Sequence, residues 1–229
     1  KSLTVFQFTV SVTLITCSLV IQQQLDYLRN GKIGLNKSQV LVVNLEGLAS
    51  SFPAFRNETA SLSGVSSVGQ ASISLFKDHG MAGFFCKTPK TNEEVFINVM
   101  TVDPDFFKTL DIRWHKQLNN SVKPGNLIIN ESALGKLRMT EDDLGGKLTL
   151  GSETSAITGI AKDFNYASLK EKIEGVIMYV ADPSVASESL GNKGALYIRL
   201  NTKENVFEMV EQIKAFYNKQ RPTAPFEYY

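Results

Sequence analysis

An uncharged run near the N-terminus, Leu3 to Ile21 (LTVFQFTVSVTLITCSLVI), constrains this chain more than any other feature. As an α-helix the run would be about 28 Å long at about 1.5 Å per residue. That length is close to the hydrocarbon core of a bilayer, which is roughly 30 Å thick. A polar chain of ordinary composition follows at once. The run therefore predicts a membrane span that carries a domain outside the bilayer.

Two other interpretations of this run stay open. Lys1 followed by an apolar run fits a secretory signal peptide loosely, but residues 21–25 (IQQQL) offer no small-x-small cleavage site. A buried core helix would explain the Ser, Thr and Gln residues within the run. The same small polar residues also suit a span that packs against other spans. We favour a span from a helix bundle, and since the chain does not begin with Met, we expect a piece of a longer protein.

The helix is predicted to continue past the span. Ile21, Leu25 and Leu28 recur at i, i+4 and i+7, which indicates an amphipathic stalk that Gly31 ends. Residues 1–30 are thus predicted to form one transmembrane and stalk helix. Lys1 lies on the other flank of the span, so by the positive-inside tendency the residues after Gln22 are predicted to lie outside the cytoplasm.

Composition excludes several classes of protein. The chain has 24 basic and 23 acidic residues, a formal net charge of +1, which favours neither nucleic-acid binding nor disorder. Cys17 lies in the span and Cys86 outside it, so they are not expected to pair, and the domain is not a disulfide scaffold. The only histidines are His79 and His115, too few to favour a structural zinc site.

The two ends of the soluble part carry the same pattern of elements. The first end predicts strands at Gln39–Leu45 and Val65–Phe76 around a helix at Leu48–Leu62, with Pro53 in its first turn. The second end predicts a strand at Ala195–Leu200, an amphipathic helix capped by Asn201 or Thr202, and a final strand at Phe226–Tyr229. Two such units can share one sheet with helices on one face. The predicted fold class is therefore α+β, with a split, ferredoxin-like βαβ-βαβ sheet lobe formed by residues 39–81 and 195–229.

The middle of the chain, residues 82–182, is predicted to be an inserted strand-rich lobe, and residues 183–194 a linker. Asp103 is predicted to cap a short helix that has Pro104 at its first position, and Asn130 a helix that runs through Leu137. Thr140 to Asp143 resembles a capping box. The predicted strands here are Ala82–Cys86, Glu94–Val102, Leu127–Ile129, Lys147–Leu150, Ala156–Ile160 and Val176–Val180.

Four groups of residues could carry chemistry, and each has a simpler explanation. Glu141-Asp142-Asp143 could bind a cation, but a helix N-terminus explains it better. Asp163-Phe164-Asn165-Tyr166 could bind carbohydrate, although a turn in which Asp or Asn satisfies its own backbone is favoured. Asp78-His79 could be half of an acid–base pair or a loop, and Trp114-His115 a ligand patch or edge packing. No catalytic motif is present, so we predict no catalytic, cofactor-binding or metal-binding residues and no enzyme activity.

Several phrases, in the same order, resemble one family. Residues 6–30 and 34–45 are similar to the transmembrane and stalk segment leading into the second periplasmic domain of FtsX-family ABC transporter permeases of the MacB-like, Bacteroidetes type. TVDPDFFKTLDI, LIINESALGKL, LGGKLTL and ITGIAKDFNYASLKEKIEGVIMYV resemble that family's internal motifs, and PFEYY its return to the next membrane helix. Gly175 stands where a Pro is usual, and residues 111–118 lack the usual Gly-Arg-x-Phe.

The resemblance implies a non-catalytic, MacB-like periplasmic core domain with no cofactor, held at the bacterial inner membrane. In that family the lobe formed by the two chain ends is porter-like, here residues 39–81 and 195–229, and the central lobe is rich in strands. Its expected partners are a cytoplasmic ABC ATPase, the remaining permease helices or a second permease copy, and a periplasmic adaptor. The domain would transmit ATP-driven motion of the membrane helices to a periplasmic substrate or partner. The alternative is a ligand-sensing extracytoplasmic domain of a membrane receptor, which should have a deep pocket lined by polar groups.

Overall fold

The computed structural model of this chain describes residues 2–30, 34–36, 38–45, 48, 51–75, 81–119, 122–167, 172–182, 194–201 and 205–229, and the side chains of all these except 25–30. The chain divides into two compact units, Lys1–Ile33 and Gly34–Tyr229. Each unit is described by itself below.

The first unit contains a single long helix, α1, at Ser2–Asn30. Its Ser2–Gln24 portion, with a mean hydropathy of 1.9, is long and apolar enough to cross a membrane. The hydroxyls of Thr9, Thr13, Thr16 and Ser18 each donate to the carbonyl oxygen four residues earlier, at 2.8–2.9 Å. These polar groups are therefore satisfied within the helix, as an apolar surrounding requires. The helical continuation to residue 30 is confirmed, whereas Gly31 lies outside the described residues.

Over its described residues, the second unit contains a ten-stranded mixed sheet in the order β1-β10-β2-β4-β9-β6-β8-β5, with β3 paired to β4 and β7 paired to β8. The strands are β1 Val40–Asn44, β2 Val65–Ala71, β3 Gly83–Lys87, β4 Glu94–Val102, β5 Trp114–Gln117, β6 Leu127–Asn130, β7 Lys147–Leu150, β8 Glu153–Ala161, β9 Val176–Val180 and β10 Ala195–Leu200. The helices are α2 Phe52–Ala60, α3 Phe106–Thr109, α4 Glu131–Lys136 and α5 Val206–Gln220, and Glu141–Asp143 forms a 3-10 turn.

The predicted porter-like sheet is formed by the two ends of this unit. β10 lies between β1 and β2 and is antiparallel to both. On the other side of β1, Tyr228 bridges Val43, and the Val42 N–H donates to the Tyr229 carbonyl at 2.9 Å. The order is thus the C-terminal segment, β1, β10 and β2, in which the two strand-helix-strand units interleave. This arrangement is that of a split, ferredoxin-like βαβ-βαβ sheet.

Helices α2 and α5 cover one face of this sheet. Phe55 of α2 and Tyr217 of α5 meet edge to face, with ring centroids 5.8 Å apart. The 3.6-residue spacing of α5 directs an apolar stripe into the core, where Ile213 is fully buried against strand residues such as Leu196 and Ile198. Each large apolar side chain buried in this way contributes about 1.5–3 kcal/mol.

The opposite face of β10 and β2 packs against α3, so β10 is buried on both of its faces. Phe106 of α3 contacts Tyr197 of β10, with ring centroids 5.6 Å apart. Gly69 of β2 permits the close approach, because a Cβ there would lie 2.7 Å from the Phe106 Cα. Both Phe106 and Tyr197 are buried.

Most predicted elements of the middle are confirmed, including the β3–β4 hairpin, β6, β9 and the β7–β8 hairpin. β8 is longer than predicted, beginning at Glu153. Strand β5 was not predicted, and it falls in the segment that lacks the family's usual residues. The lobe boundaries at residues 39–81, 82–182, 183–194 and 195–229 stay a prediction.

Four details of the predicted elements were wrong. β2 ends at Ala71, not Phe76, and α2 begins at Phe52, although Leu48 is still buried. Asn205, not Asn201 or Thr202, caps α5, because its side chain accepts from the Phe207 N–H. The N-cap of α3 is Asp105 and not Asp103. The carboxylate of Asp103 is instead engaged by residues of α2 and β2.

Candidate functional site

His115 lies between two glutamates that the sequence did not connect to it. Its Nδ1 lies 2.6 Å from Glu131 Oε1, and its Nε2 lies 2.6 Å from Glu141 Oε1. The hydrogen bonds to Glu141 and then Glu131 raise the pKa of His115 above its ordinary value. Trp114, its neighbour, instead packs against Phe107, with ring centroids 4.9 Å apart. The edge-packing interpretation holds for Trp114, while His115 joins α4 to the 3-10 turn.

The acidic group at residues 141–143 serves as a turn cap. The Thr140 N–H donates to Asp143 Oδ2 at 2.7 Å, and the reciprocal bond completes the predicted capping box. Lys90 Nζ lies 2.7 Å from the same Asp143 oxygen, and this hydrogen bond lowers the pKa of Asp143. The carboxylates of Glu141 and Asp143 are thus both engaged by protein groups, as the capping interpretation requires.

The Asp163 side chain hydrogen-bonds another element and not the backbone of its own turn. The predicted local bond was therefore wrong for Asp163. Its two carboxylate oxygens accept from the N–H and the hydroxyl of Ser132, at 2.9 and 2.6 Å. The Asp163 N–H in turn donates to Glu131 at 3.0 Å. This reciprocal pair joins the first turn of α4 to the loop after β8.

The remaining acid–base candidate, Asp78-His79, lies outside the described residues. Across the part of the chain that is described, no group of three or more His, Cys, Asp and Glu side chains is placed to hold a metal ion. The described candidates are not all separate: His115 of β5 bonds Glu141 of the 3-10 turn, and Glu131 bonds both His115 and the Asp163 N–H.

The most connected polar site lies where β2 meets β4. These strands share a single register pair, Ala71 with Val102, so side chains supply much of the connection. Asp103, directly after β4, has no exposed side-chain surface, and its Oδ1 accepts from the Gln70 N–H at 3.0 Å. Its Oδ2 accepts from Arg56 of α2 at 3.0 Å, and the same Arg56 nitrogen reaches Asp105 at 3.0 Å. We call Arg56, Gln70, Asp103 and Asp105 the clasp.

The clasp contains a carboxylate, that of Asp103, which is fully buried away from water. Burial raises the pKa of Asp103 to about 6, although the Gln70 N–H and the Arg56 guanidinium act to lower it. Charge pairing with Arg56 therefore offsets only part of the desolvation cost. The clasp is a polar contact at the narrowest point of the sheet, where the porter-like strands meet the inserted strands.

A second polar site holds the residues that lead into β1. Arg199 of β10 donates to three carbonyl oxygens, those of Thr109 at 2.7 Å, Asn36 at 2.8 Å and Ser38 at 3.2 Å. The Asn36 N–H also donates to the Leu110 carbonyl at 2.8 Å. We call this set of bonds the connector anchor, because it fixes Asn36 and Ser38 to β10 and Asn36 to the end of α3.

The C-terminal segment is fixed to the same strand that the connector enters. The Tyr229 N–H donates to the Val42 carbonyl at 3.1 Å, and its hydroxyl hydrogen-bonds Ser74 and the Leu75 carbonyl. β1 is therefore held on one edge by the end of the chain, while Arg199 holds the residues before it.

Two open clefts lie on the inserted strands. One of about 790 Å³ lies beside α3 and β5, and one of about 500 Å³ lies beside β3 and β7. Both are open to solvent, whereas the sensor alternative predicts a deep pocket.

Sequence reasoning missed the clasp and the connector anchor. The available signals were weak: a lone arginine within the apolar strand ALYIRL, and an aspartate after the apolar strand EVFINVMTV. Neither signal indicates which residue is the partner, because the partners are distant in sequence. Arg56 and Asp103 are 47 positions apart, and Arg199 and Asn36 are 163 positions apart.

Comparison with known proteins supports the fold. No protein-family profile matches the sequence, and no curated protein matches it. The structure is similar to the periplasmic region of MacB from Actinobacillus actinomycetemcomitans, with a TM-score of 0.62 and 11% identity over 87% of this chain and 92% of that one. It is also similar to a domain of a putative permease from Porphyromonas gingivalis (TM-score 0.56, 14% identity, 83% of this chain and 88% of that chain).

A third similar structure is the extracellular domain of the noncanonic ABC-type transporter YknZ from Gram-positive bacteria. Its TM-score is 0.56, at 10% identity over 82% of this chain and 97% of that one. All three chains are covered almost completely, so the likeness includes both the porter-like and the inserted strands. This chain therefore has the α+β fold of the MacB-like periplasmic domain, preceded by an apolar helix long enough to span a membrane.

Proposed function

We propose that this chain is the extracytoplasmic domain of an ABC transporter permease, anchored by α1 in a bacterial inner membrane. The observation that carries the proposal is the fold shared with periplasmic and extracellular domains of such transporters. The proposal adds that the domain is not an enzyme and that it transmits motion of the membrane helices. A cytoplasmic ATPase would supply that motion.

The connector anchor supports transmission of motion. A flexible tether would absorb a displacement of the helix, whereas Asn36 and Ser38 each accept a bond from Arg199, which also donates to Thr109. Arg199 belongs to β10, the middle strand of the porter-like sheet, so a displacement of the connector acts on the sheet as a whole. The clasp then carries it to β4 and the inserted strands.

The test is purification of the complete permease from its native membrane, followed by measurement of ATP hydrolysis in nanodiscs. We expect an ABC ATPase to co-purify, and a domain ligand or partner to change its hydrolysis rate. Arg199→Gln should leave the ATPase bound but reduce this response. Arg138→Gln, which removes an exposed pair with Glu93, is the matched control and should keep the response.

Two outcomes would overturn the proposal. Co-purification with a kinase or cyclase, and no ATPase, would indicate the ligand-sensing receptor. An ATPase whose response is the same with Arg199→Gln and Arg138→Gln would leave a permease domain but remove the transmission role from the connector anchor.

A further inference from the structure

The cleft beside α3 and β5 combines an aromatic floor with a cationic rim. It measures about 790 Å³, within the range of small-molecule sites. The floor is formed by Phe107, Ile112 and Trp114. Phe107 and Ile112 are almost fully buried, and the Trp114 ring lies on Phe107, tilted by 35°. Trp114 is only half-buried, so part of its ring surface is open to a ligand.

The rim carries three exposed cations, Lys108, Arg113 and Lys162. Among the described residues none of the three forms an ion pair, whereas Lys90, Lys116 and Lys136 elsewhere do. Two acidic residues also line the cleft. Asp105 is already paired with Arg56, so Asp111 is the one lining acid without an ion pair among the described residues, while Glu131, outside the cleft, acts electrostatically on Lys162.

The positions of Arg113 and Lys162 make the rim more than a chance group of charges. The Lys162 N–H donates to the Arg113 carbonyl at 2.8 Å, directly beyond the register pair Trp114 with Ala161. The two residues are therefore cross-strand neighbours. Like charges in that arrangement destabilise a sheet, and an anion bound between them would remove the repulsion.

We propose that this cleft binds a small anionic amphiphile. A phosphate or carboxylate group lies between Arg113 and Lys162, with Lys108 as a third donor, because guanidinium and ammonium groups make charge-assisted hydrogen bonds to such anions. The apolar part of the ligand covers Trp114 and Ile112. The site goes beyond the transport role and does not depend on an ATPase. The ligand is either a lipid from the bilayer or a free amphiphile, since both share this chemistry.

The test uses the intrinsic fluorescence of Trp114, the only tryptophan in the chain. The full chain is placed in phosphatidylcholine nanodiscs and titrated with dihexanoylphosphatidic acid below its micelle concentration. We expect a saturable change in the emission of Trp114. Arg113→Gln with Lys162→Gln should weaken binding by at least about tenfold, since two charge-assisted bonds are lost. Lys87→Gln with Lys147→Gln, at the other cleft, is the control for net charge and should bind normally.

Three results would overturn the proposal. If dihexanoylphosphatidylcholine binds as tightly as dihexanoylphosphatidic acid, the ligand need not carry a net negative charge. If inorganic phosphate binds as tightly, the ligand needs no apolar part. If the two double variants lose the same amount of affinity, the effect comes from overall charge and not from this cleft. Far-UV circular dichroism and equal unfolding midpoints check that the variants fold.

Placing phosphatidylglycerol in the nanodisc distinguishes the two sources of the ligand. A Trp114 response without soluble ligand supports a bilayer lipid, and a response to soluble ligand alone supports a free amphiphile.

Discussion

Arg56 on α2 donates to the buried carboxylate of Asp103, 3.0 Å away, at the point where β2 and β4 meet. The two residues join the helix face of the porter-like sheet to the end of β4, a strand of the inserted residues. Because this is the narrowest part of the sheet, we expect the clasp to control how strongly the two regions are connected.

Asp103 should make the domain less stable as the pH rises. Its pKa is raised from 3.8 in the unfolded chain to about 6 in the fold, so the folded state holds the proton more tightly. Its contribution to the free energy of unfolding is therefore largest below pH 3.8 and is lost as the pH rises to about 6. The full loss is about 3 kcal/mol. Asp103→Asn should remove this dependence.

The measurement is urea unfolding of the wild type and Asp103→Asn from pH 4 to 7. The difference between the two free energies should change across that window. Asp142→Asn, an exposed acid in the 3-10 turn, is the control and should track the wild type. A constant difference between the wild type and Asp103→Asn would contradict the raised pKa.

Arg56→Met should cost about 3–5 kcal/mol at pH 7, because it leaves a buried carboxylate without its charge partner. The double variant Arg56→Met with Asp103→Asn should be more stable than Arg56→Met alone, since the uncompensated charge is gone. Chemical denaturation of the four proteins gives the coupling energy. Lys219→Met, which breaks an exposed pair with Glu58, should cost only about 0–1 kcal/mol. A double variant as unstable as Arg56→Met would count against the clasp.

His115 should titrate above its ordinary range. Hydrogen bonds to Glu141 and Glu131 raise its pKa, so its stabilising contribution is full below about pH 6.5 and is lost as the pH rises through the folded pKa. In His79→Gln, which leaves His115 as the only histidine, NMR of the ring protons reports this pKa directly. Glu141→Gln should lower it, and Glu153→Gln on β8 should not. An unchanged His115 pKa in Glu141→Gln would exclude the hydrogen bond between His115 and Glu141.

Arg199→Gln should loosen the residues before β1. It removes donors to the carbonyls of Asn36, Ser38 and Thr109, at an expected cost of about 1–3 kcal/mol. Amide exchange at Asn36, whose N–H is bonded to Leu110, should become faster, while the amides of β10 stay protected. Hydrogen-exchange mass spectrometry or NMR measures both. Loss of protection throughout β10 would indicate general unfolding and not a local anchor.

Gly69→Ala should destabilise the packing of α3 on β2 by about 1–3 kcal/mol. An added Cβ would lie 2.7 Å from the Phe106 Cα, so the backbone must shift. Gly135→Ala in α4 is the matched control, because a Cβ there meets no atom within 4 Å. The control should gain up to about 1 kcal/mol from helix propensity. Thermal unfolding of both variants tests the contrast, and equal midpoints would contradict it.

Local sequence patterns predicted much of the fold. The uncharged run predicted α1, short Val- and Ile-rich runs predicted β4, β6 and β9, and the spacing of Thr140 and Asp143 predicted a capping box. Each of these features depends on residues close together in the chain. The two βαβ patterns also predicted the interleaved porter-like sheet, since few arrangements bury both helices on one face.

Only the tertiary structure decided what the polar residues do. Asp103 and Asp163 were each predicted to act locally, but their carboxylates bind α2, β2 and α4 instead. A buried or half-buried carboxylate takes the donors that packing places around it, whatever their position in the chain. Sequence alone therefore determined most of the elements and the porter-like part of the sheet. The clasp, the connector anchor and the cationic cleft came from the packing of elements distant in sequence, because partners across such distances leave no local pattern.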